Sequence, residues 1–343
     1  MNFEPWYQSE TTEYSQIISS RVRLARNLSN YKFHQKLTRE DGVRLVQNLE
    51  AVVGEINLSR PFEPLIAQDL RKLDEQVFLE KHILSPRYVA TKLAKGVFVD
   101  MYQNNSIMVN EEDHIRIQGV CPGDNLPQAL AAANEIDNLL EEHLDFAFDD
   151  KFGYLTACPT NVGTGLRASY MIHLPCLERD NRIKGLLPYL TEAGMTLRGI
   201  YGEGTISMGS IYQLSNQVTL GQKEAQIIKN LNTVAETIIK QENQIKDKLL
   251  EKRQSYLQDK AYRAYGILAY CRRISVYDAM KYLSHVRLGF LADILQLPKP
   301  PVPIYQIMME VQPGHIHFNN GGYMEETSTE IARANFLRQL FVG

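Results

Sequence analysis

The chain has 343 residues, 44% of them hydrophobic and 22% charged, with a formal net charge of −3 at pH 7. That is enough chain for a large buried core and for two domains, and the slightly acidic balance argues against general affinity for nucleic acid or an anionic membrane. The amino terminus carries no basic leader or apolar signal segment, no apolar run approaches the roughly 20 residues of a membrane span, and cysteines at 121, 158, 176 and 271 are too scattered for a disulfide framework or a C-x-x-C metal knuckle. A cytoplasmic protein with free thiols, no membrane association and no direct nucleic-acid partner is expected.

In chain order, Ser19-Ser20-Arg21-Val22-Arg23-Leu24-Ala25-Arg26 places two arginines two apart, on one face if the segment is extended. Thr38-Arg39-Glu40-Asp41 resembles a capping box ahead of a helical pattern through Val43, Leu45, Val46, Leu49 and Val52. Residues 106–110 and 114–118 read as short strands joined by the acidic turn Glu111-Glu112-Asp113, with Arg116 on an exposed face shared with His114. A helix begins near Pro127, and further strands are expected at 153–157, 166–174, 195–200 and 209–215. In the second of these, Arg167, Ser169, Met171 and His173 alternate with Ala168, Tyr170, Ile172 and Leu174, which predicts one working face and one core face. The close spacing of strands favours an α+β fold, mostly an antiparallel sheet flanked by helices.

Beyond 222 the character changes. Ile227, Ile228, Leu231, Val234, Ala235, Ile238, Ile245 and Leu249 recur at helical spacing, so the reading is a sheet domain over 1–222 and a mainly helical carboxy-terminal domain over 223–343. Packing within the chain accounts for the stripe, and a homodimer seam through the helical domain is the sharper alternative. Pro298, Pro300, Pro301 and Pro303 interrupt the helices before a last extended stretch and a closing helix from 328.

The chemistry concentrates between these elements. Cys158-Pro159-Thr160-Asn161-Val162-Gly163-Thr164-Gly165-Leu166-Arg167 joins a thiol, a glycine-permissive turn and an arginine, which fits a reactive site and equally a structural cysteine beside a turn. Arg198 ends a strand and leads into the glycine-punctuated loop Gly199-Ile200-Tyr201-Gly202-Glu203-Gly204. Arginines along a sheet face suit phosphate oxygens. The chain has no Gly-Lys pair, hence no Walker A loop, and no H-R-D or D-F-G kinase motif, so any phosphate clamp here uses arginine.

The strings S-S-R-V-R-L-A-R-N, V-N-E-E-D-H-I-R-I, C-P-T-N-V-G-T-G-L-R-A-S and R-G-I-Y-G-E-G, in this order, resemble the catalytic domain of the guanidino (phosphagen) kinases. The absence of a small amino-terminal helical domain and the Met171-x-His173-Leu174-Pro175 order resemble the bacterial protein-arginine kinase branch. The resemblance implies ATP-dependent phosphorylation of arginine side chains, with MgATP as the phosphoryl donor. It implies that Arg21, Arg23, Arg116, Arg167 and Arg198 hold the nucleotide phosphates with Arg26 in support. Glu112 and Glu203 would hold the guanidinium with Cys158 against it, and Glu111 would reach magnesium through water. Two carboxylates suit this acceptor, since a guanidinium must be oriented in line with the γ-phosphorus and must lose a proton to become a nucleophile.

The same resemblance implies protein substrates with accessible arginines, a Clp-type ATPase-protease that reads the mark, and a small zinc-binding activator, in stress-linked quality control. A kinase of free arginine and a non-catalytic protease adaptor are the competing readings, the second opposed by the intact Glu112, Glu203 and Cys158. One departure stands out. Where the bacterial branch carries an Arg-Asp-x-x-Arg-Ala phosphoarginine pocket, this chain reads Thr329-Glu330-Ile331-Ala332-Arg333-Ala334, which predicts a weak response to phosphoarginine.

Overall fold

Alternation of apolar residues builds the first strand, β1 (Ile17–Arg26), in which Ile18, Val22 and Leu24 are fully buried. The computed structural model describes residues 4–13, 15–66, 70–200 and 207–342. After β1 comes α1 (Arg39–Glu55), started by Thr38, whose side chain accepts from Asp41 N as the capping pattern requires. Then follow β2 (Phe62–Ile66), α2 (Lys72–Glu80), α3 (Pro86–Ala90), β3 (Gly96–Asp100), β4 (Asn105–Val109), β5 (Ile115–Pro122) and α4 (Leu126–Glu141). A small hairpin of β6 (Phe148–Asp149) and β7 (Gly153–Tyr154) precedes β8 (Leu166–His173), α5 (Pro175–Arg179), α6 (Ile183–Glu192), β9 (Met195–Gly199) and β10 (Ile211–Asn216). The remainder is helical: α7 (Glu224–Tyr270), α8 (Val276–Leu291), α9 (Ile304–Glu310), α10 (Pro313–Asn319) and α11 (Glu326–Val342). Within α7, Arg253 has φ −147° and ψ 36°, which breaks the run into two helical stretches.

Among the described residues the main sheet has eight strands in the order β2-β3-β4-β5-β1-β8-β10-β9. The pairs β2–β3, β3–β4 and β4–β5 are antiparallel, and Ile107 faces Ile117 across the last of them. Bonds from Ala25 N to Gly165 O at one end and from His173 N to Gln16 O at the other run β1 antiparallel to β8. The expected α+β architecture, an antiparallel sheet with helices and a helical carboxy-terminal region, is therefore present.

The chain clusters into two compact units, Met1–Trp6 with Ser20–Ser169 and Ser215–Leu231, and Tyr7–Ser19 with Tyr170–Leu214 and Asn232–Gly343. The chain passes from one to the other between Trp6 and Tyr7 and within β1, β8, β10 and α7. In the first unit, Leu45 and Leu49 of α1 and Ala129, Ala133, Ile136 and Leu140 of α4 are buried, with α4 packed on β5. Gly119 permits that approach, because a Cβ there would lie 2.7 Å from Ala129 O. In the second unit α6 packs on β9 and α8 on α9.

Two expectations need correction. The segment after Pro303 is not extended: Pro303 precedes α9 and Pro313 occupies the first turn of α10, positions where a missing N–H costs nothing. The face of β8 carrying Ser169, Met171 and His173 is buried, not exposed, because its polar members find partners inside the fold. His173 is hydrogen-bonded through Nε2 to Ser284 Oγ at 2.8 Å and through Nδ1 to Arg287 Nη1 at 2.9 Å. Burial first, then the charge of Arg287, holds that imidazole neutral, well below its ordinary pKa.

Candidate active site

Arginines two apart on β1 share a face, and the strands beside β1 in the sheet, β5 and β8, carry Arg116 and Arg167. The four guanidinium groups converge. Burial and then the positive charges of Arg21, Arg116 and Arg167 pull Arg23 well below its ordinary pKa, with Glu111 acting in the opposite direction. Its Nε is buried without a hydrogen-bond partner. Arg21 Nε donates to Ser169 Oγ at 3.4 Å and Arg167 Nη2 to Ser215 Oγ at 3.3 Å, so hydroxyls help to orient two of the four. Like charges gathered in this way are costly until an anion arrives. The field extends to His82, which burial and the charge of Arg21 lower to a pKa of about 3.

The acidic turn closes one side of this cluster. Asn110, in the left-handed region at φ 60°, bonds through its N–H to His114 O at 2.9 Å and tightens the turn between β4 and β5. Arg116 Nη1 donates to Glu111 Oε1 at 3.0 Å and Nη2 to Glu112 Oε2 at 3.5 Å. Glu111 is buried, accepts from its neighbour's amide, Glu112 N, at 2.8 Å and from Ser85 Oγ, and Glu112 also pairs with the exposed Arg87. Both predicted carboxylates of the turn thus meet the predicted phosphate arginine. Arg116 and His114 do not share an exposed face, however. Both are buried, and His114 Nδ1 accepts from Leu28 N at 3.0 Å.

Asp113 ties this turn to the cysteine loop. Its Oδ1 accepts from Ala157 N at 2.6 Å and from Asn27 Nδ2 at 2.7 Å, while Asn27 Oδ1 accepts from His114 N at 2.8 Å. Burial raises the Asp113 carboxyl above its usual range, against the lowering effect of those two bonds. Cys158 follows Ala157, is half-buried, and its Sγ lies 3.1 Å from Thr160 Oγ1. Thr219 Oγ1 bonds the loop carbonyls of Thr160 and Val162 at 2.9 and 2.7 Å. Gly163, at φ 113°, and Gly165, at φ 66°, are required: a Cβ would lie 2.8 Å from Thr219 O at the first and 2.6 Å from Ala25 O at the second.

Arg26 is not among the converging arginines. It is 1% exposed, pairs with Asp137 Oδ2 at 2.6 Å, donates to Thr164 O at 3.0 Å and stacks 3.5 Å above the Tyr154 ring. These contacts tie Arg26 to the loop through Thr164 and to α4 through Asp137. Arg198 lies exposed on β9 in the second compact unit, and Glu203 falls outside the described residues. Asn27, Asp113, Asp137 and Tyr154 are the framework residues that sequence reasoning passed over. For the first two the available signal was their position inside the quoted strings.

Near the carboxy terminus, Arg333 is buried and spends its guanidinium on Val311 O at 2.7 Å and Ile274 O at 3.1 Å, and Glu330 pairs with Arg273. All four cysteines are free. Among the described residues no helix is long and apolar enough to cross a membrane, and no group of three or more His, Cys, Asp or Glu side chains is placed to hold a metal.

Comparison with known proteins gives the family of the chain. Residues 44–245 match the ATP:guanido phosphotransferase C-terminal catalytic domain, and residues 254–342 the protein-arginine kinase McsB C-terminal domain. The protein-arginine kinase of Syntrophomonas wolfei is 41% identical over 98% of this chain and 95% of its own length, and that of Bacillus subtilis is 38% identical over 97% and 92%. Among solved structures, the duplicated taurocyamine kinase of Schistosoma mansoni superposes with a TM-score of 0.62 at 23% identity over 77% of this chain, which spans 40% of that protein. A lombricine kinase does so with 0.58 at 21% identity over 70% of this chain and 69% of its own. Those two likenesses carry the fold, and the full-length relatives carry the family: this chain belongs to the protein-arginine kinases of the ATP:guanido phosphotransferase family.

Proposed function

We propose that the chain transfers the γ-phosphoryl group of ATP to arginine side chains of proteins. The observation that carries this reading is the gathering of Arg21, Arg116 and Arg167 around Arg23, with Glu111 and Glu112 against Arg116, in a chain 41% identical to a protein-arginine kinase. Preassembled positive charge stabilises the charge that spreads over the transferring phosphoryl group. Arg198 completes the clamp in this proposal. Glu112 and Glu203 hold the substrate guanidinium with Cys158 against it. One carboxylate takes a proton from the guanidinium, the freed nitrogen lone pair forms the N–P bond, and the bond from the γ-phosphorus to the bridging oxygen breaks as ADP departs. Glu111 is the carboxylate that would touch, through water, a magnesium ion accompanying the nucleotide, which would supply neutralisation of phosphate charge.

The proposal extends to a cytoplasmic role in protein quality control, with a Clp-type ATPase-protease reading the mark, a small zinc-binding activator, and a homodimer through the helical region. The sheet-bearing catalytic part over 1–222 and the helical part over 223–343 would divide chemistry from control. Incubation with MgATP and a partly unfolded protein, followed by mass spectrometry under conditions that spare the acid-labile P–N bond, tests the reaction: phosphoarginine supports it and phosphoserine contradicts it.

A further inference from the structure

The second compact unit contains a cavity of about 270 Å³, lined entirely by its own residues. Its lining includes the apolar side chains of Leu249, Leu257, Leu288 and Ile294. It also includes three cations, Arg179 from the end of α5, Lys260 from α7 and Lys281 from α8. A carboxylate, Glu178, also lines it and accepts a 2.9 Å hydrogen bond from Ser207 Oγ. No residue of α11 contributes, so the cavity is separate from the Thr329–Ala334 segment.

None of the three cations forms an ion pair among the described residues, and Lys281 Nζ stands 5.4 Å from the Tyr282 ring. Arg179 Nη1 is buried without a hydrogen-bond partner, and its guanidinium and Lys260 Nζ stand 5.2 and 4.9 Å from the same ring, that of Tyr256. The cationic field is also felt at His285 on the cavity wall, which burial and then Lys260 and Lys281 lower to a pKa of about 4, leaving a neutral imidazole able to donate or accept. Clustered cations beside apolar side chains repel one another unless an anion lies between them. Three positive groups against one carboxylate leave an excess that matches a dianion, and a phosphate monoester carries close to two negative charges at neutral pH. A guanidinium fork with an unused N–H suits phosphate oxygens, and a cavity that is part apolar and part convergent polar groups suits a small organic molecule.

We propose that this cavity binds a small organic phosphate, with its phosphoryl group held by Arg179, Lys260 and Lys281 and its apolar body against Leu249, Leu257, Leu288 and Ile294. Neither nucleotide binding nor the phosphoryl-transfer chemistry is needed for it. Calorimetric titration of the full chain with phenyl phosphate, inorganic phosphate and phenol is the test. Phenyl phosphate binds one to one, more tightly than either fragment. Its affinity is unchanged in Arg23→Ala, and falls about tenfold or more in Lys260→Ala and in Lys281→Ala, the loss expected for a charge-assisted contact. Thermal melts check that both lysine variants remain folded. Absence of binding, inorganic phosphate binding as tightly as phenyl phosphate, or binding that is lost in Arg23→Ala and kept in the lysine variants would each overturn the assignment.

Discussion

Asp113 Oδ1 accepts a hydrogen bond of 2.6 Å from Ala157 N, joining the turn that carries Glu111 and Glu112 to the loop that carries Cys158. Its Oδ2 is buried without a partner. Asp113→Asn therefore keeps the accepting oxygen and drops a charge that burial disfavours, whereas Asp113→Ala strands the Ala157 N–H and leaves the Asn27 amide only its bond to Leu155 O. The alanine variant is expected to lose about 2 kcal/mol or more of stability and most of its activity, the asparagine variant much less, by the cost of unpaired buried donors. Urea titration together with turnover measures both, and equal losses would contradict a positioning role for that oxygen.

Arg23 sits in a field of like charge with an unpartnered Nε. Replacing it by glutamine relieves repulsion in the ligand-free protein and removes a donor from the proposed phosphate clamp. Turnover is expected to fall by about two to three decades, the usual effect of deleting one preorganised donor. The melting temperature should stay level or rise. A variant that melts lower and turns over normally would place the clamp elsewhere.

The clustering of arginines was partly legible in the sequence, because period-two spacing alone puts Arg21 and Arg23 on one face and because the quoted strings name Arg116 and Arg167. What was not legible depends on distant partners. Asp113 reads as the third acid of an ordinary turn until Ala157, 44 positions away, is seen to donate to it. Arg26 looks like its neighbours in sequence, yet Asp137, 111 positions on, and the Tyr154 ring withdraw it into the interior. Alternation along β8 gives no hint that Ser284 and Arg287 would satisfy His173 and bury its face. The prolines after 297 signal interruption in sequence, while the structure uses Pro303 and Pro313 to begin helices.

His82 gives a pH dependence with a definite sign. Its folded pKa of about 3 lies below the ordinary value of 6.5, so between those values the unfolded chain binds a proton that the folded chain refuses. Stability from this group is present above pH 6.5 and is lost as pH falls toward 3, by up to about 1.4 kcal/mol per pH unit. His82→Asn, tolerated at the left-handed φ of 59°, is expected to flatten the denaturation free energy between pH 6 and 4 by about one proton equivalent. An unchanged slope would contradict the burial of a neutral imidazole.

The carboxy-terminal segment predicts weak control by phosphoarginine. Thr329 supplies no guanidinium, Arg333 is committed to the carbonyls of Val311 and Ile274, and Glu330 is engaged with Arg273. Losing a bidentate phosphate contact costs about one to two decades in affinity. Added phosphoarginine should leave turnover within about twofold of its starting value, an effect too small to need a bound, charge-assisted contact. Strong activation abolished by Glu330→Ala would show a working pocket.

Phosphoryl transfer to protein arginine is tested most directly by a side-by-side assay of the purified full chain with MgATP, offered a partly unfolded protein in one arm and free L-arginine in the other. Phosphoarginine should form on the protein substrate much faster than phosphorylated free arginine accumulates, and Glu112→Gln should lower that rate by about two to four decades. Faster turnover of free L-arginine, or label on serine in place of arginine, would contradict it.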